Sequence, residues 1–208
     1  QKAGNKRLPP AWLLACYTAR PALPLRAPAP AIPALTVYLP PAPDTVYVIG
    51  ADPAEGNPTS DDSAAVVVDR PTGQEVATLV GKLQPAEFAG YLTQVAAYYN
   101  AAGVLTERNN HGHAVLLALR GQVAVMAGTD HKPGWLTTGP SKALLYDHAA
   151  ECLRDGDAGI SSLETYTQLS TIEGATLNAP DGQHDDRAVA WALAQLARSQ
   201  VRRTMKAA

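Results

Sequence analysis

Apolar residues fall into short, strongly β-branched runs between residues 45 and 81, and into longer helical stripes beyond them. Thr45–Ala51 (TVYVIGA) predicts a buried strand ending at Asp52, followed by a turn-rich loop over Pro53–Asp62. Ser63–Asp69 (SAAVVVD) predicts a second strand, and the tight turn Arg70–Gly73 leads into a third over Glu75–Gly81. Pro85 suits a first helical turn, and Phe88, Leu92, Val95 and Tyr99 recur at helical spacing until Gly103 stops the helix. Val104–Glu107 predicts a fourth strand, Asn109–Arg120 a helix capped by Asn109 or Asn110, and Gln122–Met126 a fifth strand. A polar, Gly-rich loop over Gly128–Gly139 precedes a helix from about Ser141 to Arg154. Asp185–Arg203 is the last long helix, with Ala188, Trp191, Ala192 and Leu196 near one face.

Three strands joined by short turns make an antiparallel meander. Alternating strands and helices after it imply a mixed α/β sheet with helices on both faces. A five-stranded sheet in the order 3-2-1-4-5, the ribonuclease H-like arrangement, fits this string; other α/β topologies fit it too. The front of the chain has a different texture, since ten of the 17 prolines lie within the first 43 residues. Proline fixes φ and removes a backbone donor. Residues 1–43 are therefore expected as a Pro-rich linker or arm, with one short apolar run at Ala11–Tyr17, and residues 44–208 as the folded domain. The chain opens on Gln1 rather than Met, as expected of a fragment or processed product.

Charge changes the picture more by its layout than by its sum. The 208 residues carry 17 Lys+Arg and 19 Asp+Glu, a formal net charge of −2, which excludes a polycation binding nucleic acid by bulk charge. Residues 1–50 hold five bases and one acid; residues 51–190 hold 18 acids and eight bases; residues 191–208 hold four bases and no acid. An acidic middle with basic ends points to a site that collects carboxylates, with basic segments free to meet a polyanion. Solvated surface charge is the plain alternative. Cys16 and Cys152 are too few for a disulfide framework or a Cys-based zinc site, and a reducing, intracellular setting is expected. No run of 18 apolar residues exists, so no membrane partner is expected, and prolines interrupt the N-terminal stretch too often for a signal-peptide core.

The candidate chemistry lies in the acids. In open α/β sheets, sites gather beyond the carboxyl ends of strands where the strand order reverses. For the order 3-2-1-4-5 that point lies between the first and fourth strands, which end at Asp52 and Glu107. Neighbouring strands run ~4.8 Å apart, close enough for both carboxylates to share a cation. Asp185 and Asp186 open the last helix, where either also suits an N-cap. Hard divalent cations take such oxygen ligands, and a pair of them supports phosphodiester hydrolysis. His111 and His113 lack the spacing of a helical zinc pair, whereas His184, beside Asp185, is placed to assist proton transfer or orient a ligand. There is no G-x-S-x-G nucleophile motif and no G-x-x-x-x-G-K-[ST] phosphate loop.

The segments Asp52–Gly56, Leu105–Gly112, Lys132–Thr138 and Gly182–Arg187 together resemble the nuclease domains of phage terminase large subunits. Asp52-Pro-Ala-Glu-Gly56, with Asp61-Asp-Ser-Ala64 and the strand Val66–Asp69, looks like their first motif, and Leu105-Thr-Glu107-Arg-Asn-Asn-His-Gly112 like the second acidic motif. Lys132-Pro-Gly-Trp135-Leu-Thr-Thr138, with Ser141-Lys142 and Leu153-Arg-Asp-Gly156, is similar to the later segment. Gly182-Gln-His-Asp185-Asp186-Arg187 resembles the closing motif. The resemblance runs from about residue 45 to 198 and leaves residues 1–43 unmatched. It implies a ribonuclease H-like, metal-dependent endonuclease that cuts concatemeric double-stranded DNA at initiation and termination of genome packaging. Asp52 and Glu107 match the first two metal-binding acids. Asp186 is preferred as the third, with Asp185 its partner, and all four are the catalytic and metal set. Asp61 matches a recurrent acid after the glycine turn, and with His184 it is assigned an auxiliary role.

By the same resemblance the cofactor is Mg²⁺ or Mn²⁺, two ions being expected with DNA bound. Lys132, Trp135 and Lys142 are assigned to DNA binding, although core packing fits Trp135 equally and a solvated loop fits the lysines. The implied partners are the terminase ATPase domain, the small terminase subunit and the portal, and the implied location is the host cell cytoplasm at the procapsid. A competing reading is a DNA-binding or motor-docking module that cuts little in isolation. An actin-like phosphotransferase is weaker, because Gly50 and Gly56 supply only half of one of the two phosphate hairpins that class needs.

Overall fold

The computed structural model describes residues 5–206. In chain order these form α1 (Pro10–Cys16), β1 (Leu35–Val37), β2 (Tyr47–Asp52), β3 (Ser63–Asp69), β4 (Glu75–Gly81) and α2 (Pro85–Tyr98). Then follow β5 (Gly103–Thr106), α3 (Gly112–Leu119), α4 (Gly139–Arg154), α5 (Leu163–Thr171) and α6 (Asp186–Lys206). One five-stranded sheet has the order β1-β4-β3-β2-β5. β2, β3, β4 and β1 pair antiparallel in succession, and β5 alone runs parallel to its neighbour, β2. No described helix is long and apolar enough to cross a membrane.

Strand periodicity divides the core into two layers. Successive strand residues point to opposite faces. Val48, Ala64, Val66, Val68 and Leu105 accordingly pack with α1, α4, α5 and α6, while Ile49, Ala51, Ala65, Val67 and Val104 pack with α2 and α3. The central strands are buried on both faces, which is why they read as continuous apolar runs.

Three sequence expectations change. The stretch expected as an arm is folded onto the sheet: Leu8 and Leu13 are fully buried, and β1 pairs with β4 as an edge strand. Its prolines sit where they cost nothing. Pro9 and Pro10 start α1, and the rest flank an edge strand that needs few donors. Residues 1–4 of that stretch, like 207–208 at the other end, lie outside the described residues. The expected strand Gln122–Met126 reduces to a bridge between Val104 and Val125, so the fifth strand lies at the opposite edge, as β1, and the order is the predicted meander with β1 added. Finally, Asn109 does not cap α3: its side-chain amide holds the backbone of Thr137 from both ends, and α3 starts at Gly112. α5 was not anticipated. Its sequence, LETYTQLST, buries only two side chains, and its one local signal is the Ser162 hydroxyl accepting from the Thr165 N–H.

Candidate active site

The parallel pair β2–β5 aligns Ala51 with Thr106, so the residues that follow, Asp52 and Glu107, leave the sheet side by side. Glu107 is fixed on both sides: its N–H donates to Ala51 O at 2.8 Å, and it bridges to Trp135. From β2 the chain runs through β3 and β4 on one side, whereas β5 lies on the other, so the strand order reverses between β2 and β5 and a crevice opens at their carboxyl ends. Asp186, the first residue of α6, enters from above with 9% of its side chain exposed. Asp185 precedes it and lies 3.6 Å from Lys142 Nζ through Oδ2. These four carboxylates line a cleft of about 450 Å³, together with Asp61, Asp62, His111 and Lys142.

The electrostatics follow from crowding. Burial pushes the Asp52 carboxyl well above its ordinary value; the Glu107 charge, a carboxyl–carboxyl hydrogen bond with Glu107, and Asp186 and Asp185 push it further. Asp186 is raised to about 6, first by burial and then by Asp61 and Asp185, with His184 opposing. Its Oδ2 is buried without a hydrogen-bond partner. On α4, the buried Tyr146 hydroxyl also lacks a partner and is raised by burial and by Asp185 and Asp52. Carboxylates left crowded and under-bonded in this way suit a hard dication, which satisfies oxygen lone pairs and offsets the charge. Asp52, Glu107 and Asp186 fit that requirement.

The other sequence-predicted residues distribute unevenly. Asp61 and His184 stand beside Asp186, with His184 Nδ1 3.3 Å from Asp61 Oδ1. Lys142 belongs to the cleft. Lys132 does not: it lines a separate groove of about 540 Å³ with Arg108, His113 and Arg120. Trp135 is a correction, being 1% exposed in the core with no face to offer a base. Its backbone bridge to Glu107 draws it inward and makes it a support for that acid. The basic ends are also partly committed. Arg7 pairs with Asp147, and the guanidinium of Arg198 is 3% exposed and pairs with Asp157. Sequence reasoning passed over Asp62, which pairs with Lys82 at 3.0 Å, and Tyr146. The Asp61-Asp62 doublet was a visible signal for the first; Tyr146 joins the site only through the packing of α4 on α6.

No protein-family model matches the chain, and no curated protein is similar. Several solved structures are. The large terminase nuclease of thermophilic phage G20c with bound magnesium is 20% identical over 92% of this chain and 97% of that one, with a TM-score of 0.73. Structures of the same nuclease with cobalt and with zinc also match. The large terminase nuclease domain of Thermus phage P74-26 is 20% identical over 91% of this chain and 94% of that one, with a TM-score of 0.69. A mutant nuclease domain of the large terminase subunit of bacterial virus Sf6, with manganese and beta-thujaplicinol, is 12% identical over 93% and 98%, at a TM-score of 0.55. The chain has the fold of these nuclease domains, a ribonuclease H-like mixed sheet with helices on both faces.

Proposed function

We propose that this chain is the metal-dependent nuclease domain of a viral large terminase, cleaving concatemeric double-stranded DNA when genome packaging starts and ends. The observation that carries this reading is the meeting of Asp52, Glu107, Asp185 and Asp186 in one cleft at the reversal point of a terminase-nuclease fold. Structures of such nucleases with magnesium, cobalt, zinc or manganese support a divalent cofactor, here Mg²⁺ or Mn²⁺. Asp52 would serve two ions, with Glu107 and Asp186 each completing one. When bound, the ions supply Lewis-acid polarisation of the scissile phosphate, activation of a water and stabilisation of the leaving oxygen in an in-line displacement.

The chain's own groups do the remaining work. Glu107 N–H donates to Ala51 O, and Trp135 bonds the backbone of Thr106 and Arg108 on either side of it, which holds Glu107 in register with Asp52, so the carboxylates are placed before any ligand arrives. Lys142 tempers the charge of Asp185 and offers a cation to a phosphate at the cleft wall. With the carboxylates ionised and no dication held, the cleft repels DNA, so affinity for the polyanion rises with divalent loading. In this reading the ATPase domain, small terminase subunit and portal are the partners, and the work is done in the host cytoplasm at the procapsid.

The test is plasmid nicking by the 208-residue chain in Mg²⁺ and in Mn²⁺. Asp52→Ala is expected to lose activity by on the order of 10³-fold or more. Undiminished nicking by that variant overturns the reading. DNA binding by the wild-type chain without cleavage in any divalent ion supports a docking module in its place.

A further inference from the structure

Asp185 and Asp186 stand where two jobs compete. An aspartate that caps α6 turns its carboxylate onto the N–H groups of the first turn, where it is no longer free to face a cation. A residue from another helix removes that conflict. Gln168, on α5, accepts through Oε1 from Arg187 N–H at 2.7 Å and from Ala188 N–H at 3.3 Å. Asp185 O accepts from Val189 N–H at 2.9 Å, so Asp185 is the N-cap residue of α6. Arg187 and Ala188 then carry the two N–H groups that an N-cap side chain ordinarily takes. With both held by Gln168, the Asp185 carboxylate faces Lys142 and the Asp186 carboxylate lines the cleft.

The capping side chain stands on an anchored helix. The Ser162 hydroxyl caps α5, and the buried Glu75 of β4 accepts from Ser161 and Ser162 N–H at 2.9 and 2.8 Å. Leu169, next to Gln168, is fully buried. α5 is thus tied to the sheet at its start and to the core near its end, and Gln168 carries that fixed position across to α6. Arg187 and Ala188 follow Asp186 directly, so the two bonds set the depth at which Asp186 enters the cleft.

We propose that Gln168 is a positioning residue for the nuclease site: by capping α6 from outside it frees Asp185 and Asp186 for the cleft and holds Asp186 against Asp52 and Glu107. The inference rests on the nuclease reading for what the freed carboxylates do. Its competitor is a purely structural cap, which stabilises α6 without bearing on the cleft.

The experiment measures Mn²⁺ affinity by calorimetry in the full chain, which needs no cleavage. Gln168→Met keeps the length of this half-buried side chain and loses the acceptor, whereas Gln168→Glu keeps an acceptor oxygen. Gln168→Met is expected to lower Tm by less than about 5 °C and to weaken Mn²⁺ binding by about tenfold or more. Gln168→Glu is expected to stay within about threefold of wild type. Two controls separate the causes. Thr167→Glu with Gln168→Met adds the same charge on exposed α5 surface without the cap, and is expected to bind as weakly as Gln168→Met. Phe88→Leu, in the opposite core layer, removes stability alone and is expected to leave Mn²⁺ affinity within about twofold. Unchanged affinity in Gln168→Met overturns the proposal in favour of the structural cap. So does equal weakening in Gln168→Glu or in Phe88→Leu, or full rescue by the Thr167→Glu charge. Wild type that binds no Mn²⁺ refutes the metal-dependent reading itself and the role of Gln168 with it. Nicking with Asp52→Ala judges that reading without touching Gln168.

Discussion

Gly50, at the centre of β2, is where the fold and the proposed chemistry meet most tightly. A Cβ added there would lie 2.1 Å from Ala190 O, 2.3 Å from Ala194 N and 2.9 Å from Leu193 C, all backbone atoms of α6. No side chain can swing aside, so Gly50→Ala forces the helix itself to yield. Moving the nearest contact from 2.1 Å to the 3.4 Å at which ordinary packing begins is a retreat of about 1.3 Å. A gap of 0.5–1 Å already forfeits roughly a quarter to a half of each contact's dispersion energy. Overpacking costs about 1–3 kcal/mol and more where backbone must move, while the stiffer unfolded chain returns about 0.5 kcal/mol. A net loss of about 2–3 kcal/mol follows, or roughly 5–10 °C in Tm for a chain of this size.

Asp186 rides on the same helix one turn before Ala190, so a retreat near Ala190 also shifts the proposed metal ligand. A misplacement of ~1 Å at a catalytic group costs about 10²-fold in rate. The assays are a thermal melt and plasmid nicking, with Gly90→Ala as the control. Gly90 is exposed on α2 with nothing within 4 Å of an added Cβ, and its substitution is expected to stabilise by about 0.5–1 kcal/mol. A Gly50→Ala protein that melts within about 1 °C of wild type and nicks normally would refute the close-approach reasoning.

Three further outcomes are expected. Glu75 is fully buried, its Oε1 accepts from the N–H groups of Ser161 and Ser162, and burial raises its carboxyl to about 7. Its folded value exceeds the unfolded one, so its contribution is complete below about 4.5 and is lost as pH rises through about 7; the full swing is on the order of 3 kcal/mol. Glu75→Gln, whose amide oxygen keeps both bonds, should remove that slope in urea melts and match or exceed wild-type stability at pH 8. Retention of the slope would show that another group titrates. For Trp135, Trp135→Phe should leave DNA affinity unchanged in gel shifts, since the ring is buried, whereas Trp135→Ala should cost about 3–5 kcal/mol in the same melts; weakened binding by the Phe variant would restore a direct DNA contact. Asp186, raised to about 6, likewise costs the metal-free protein stability as pH rises through that value. In EDTA at pH 8, Asp186→Asn should therefore raise Tm, and added Mn²⁺ should raise the wild-type Tm but not that of the variant; the opposite order would contradict a repulsive, cation-seeking cluster.

Much of this arrangement was legible because the central strands are short, buried on both faces and closed by polar residues. Asp52 and Glu107 were readable as strand ends, and the parallel register of β2 and β5 needs nothing more to bring them together. Position defeated composition elsewhere. The proline count of residues 1–43 suggested an arm, yet Pro9 and Pro10 begin a helix and Leu35–Val37 needs only three residues to add an edge. Trp135 lies among Lys132, Pro133 and Gly134, a sequence that looks like surface loop, but backbone bonds to Thr106 and Arg108 make it a core neighbour of Glu107. Such bonds depend on which segments come together and leave no local periodicity.

α6 shows how one misjudged face alters the chemistry. Spacing assigned it a single apolar stripe, whereas every residue from Ala188 to Ala197 is buried. A segment buried on every side belongs in the interior, with its one polar side chain, Gln195, donating to Gly73 O, and its alanines let it approach β2 to the distance that only Gly50 allows. The same close docking carries the first turn into the protein. Asp186 is thereby stripped of water, while Asp185, one residue earlier, remains within reach of Lys142. Adjacent aspartates thus acquire different environments from the depth of one helix, and the deeper one is left with an unpaired oxygen that a cation can satisfy.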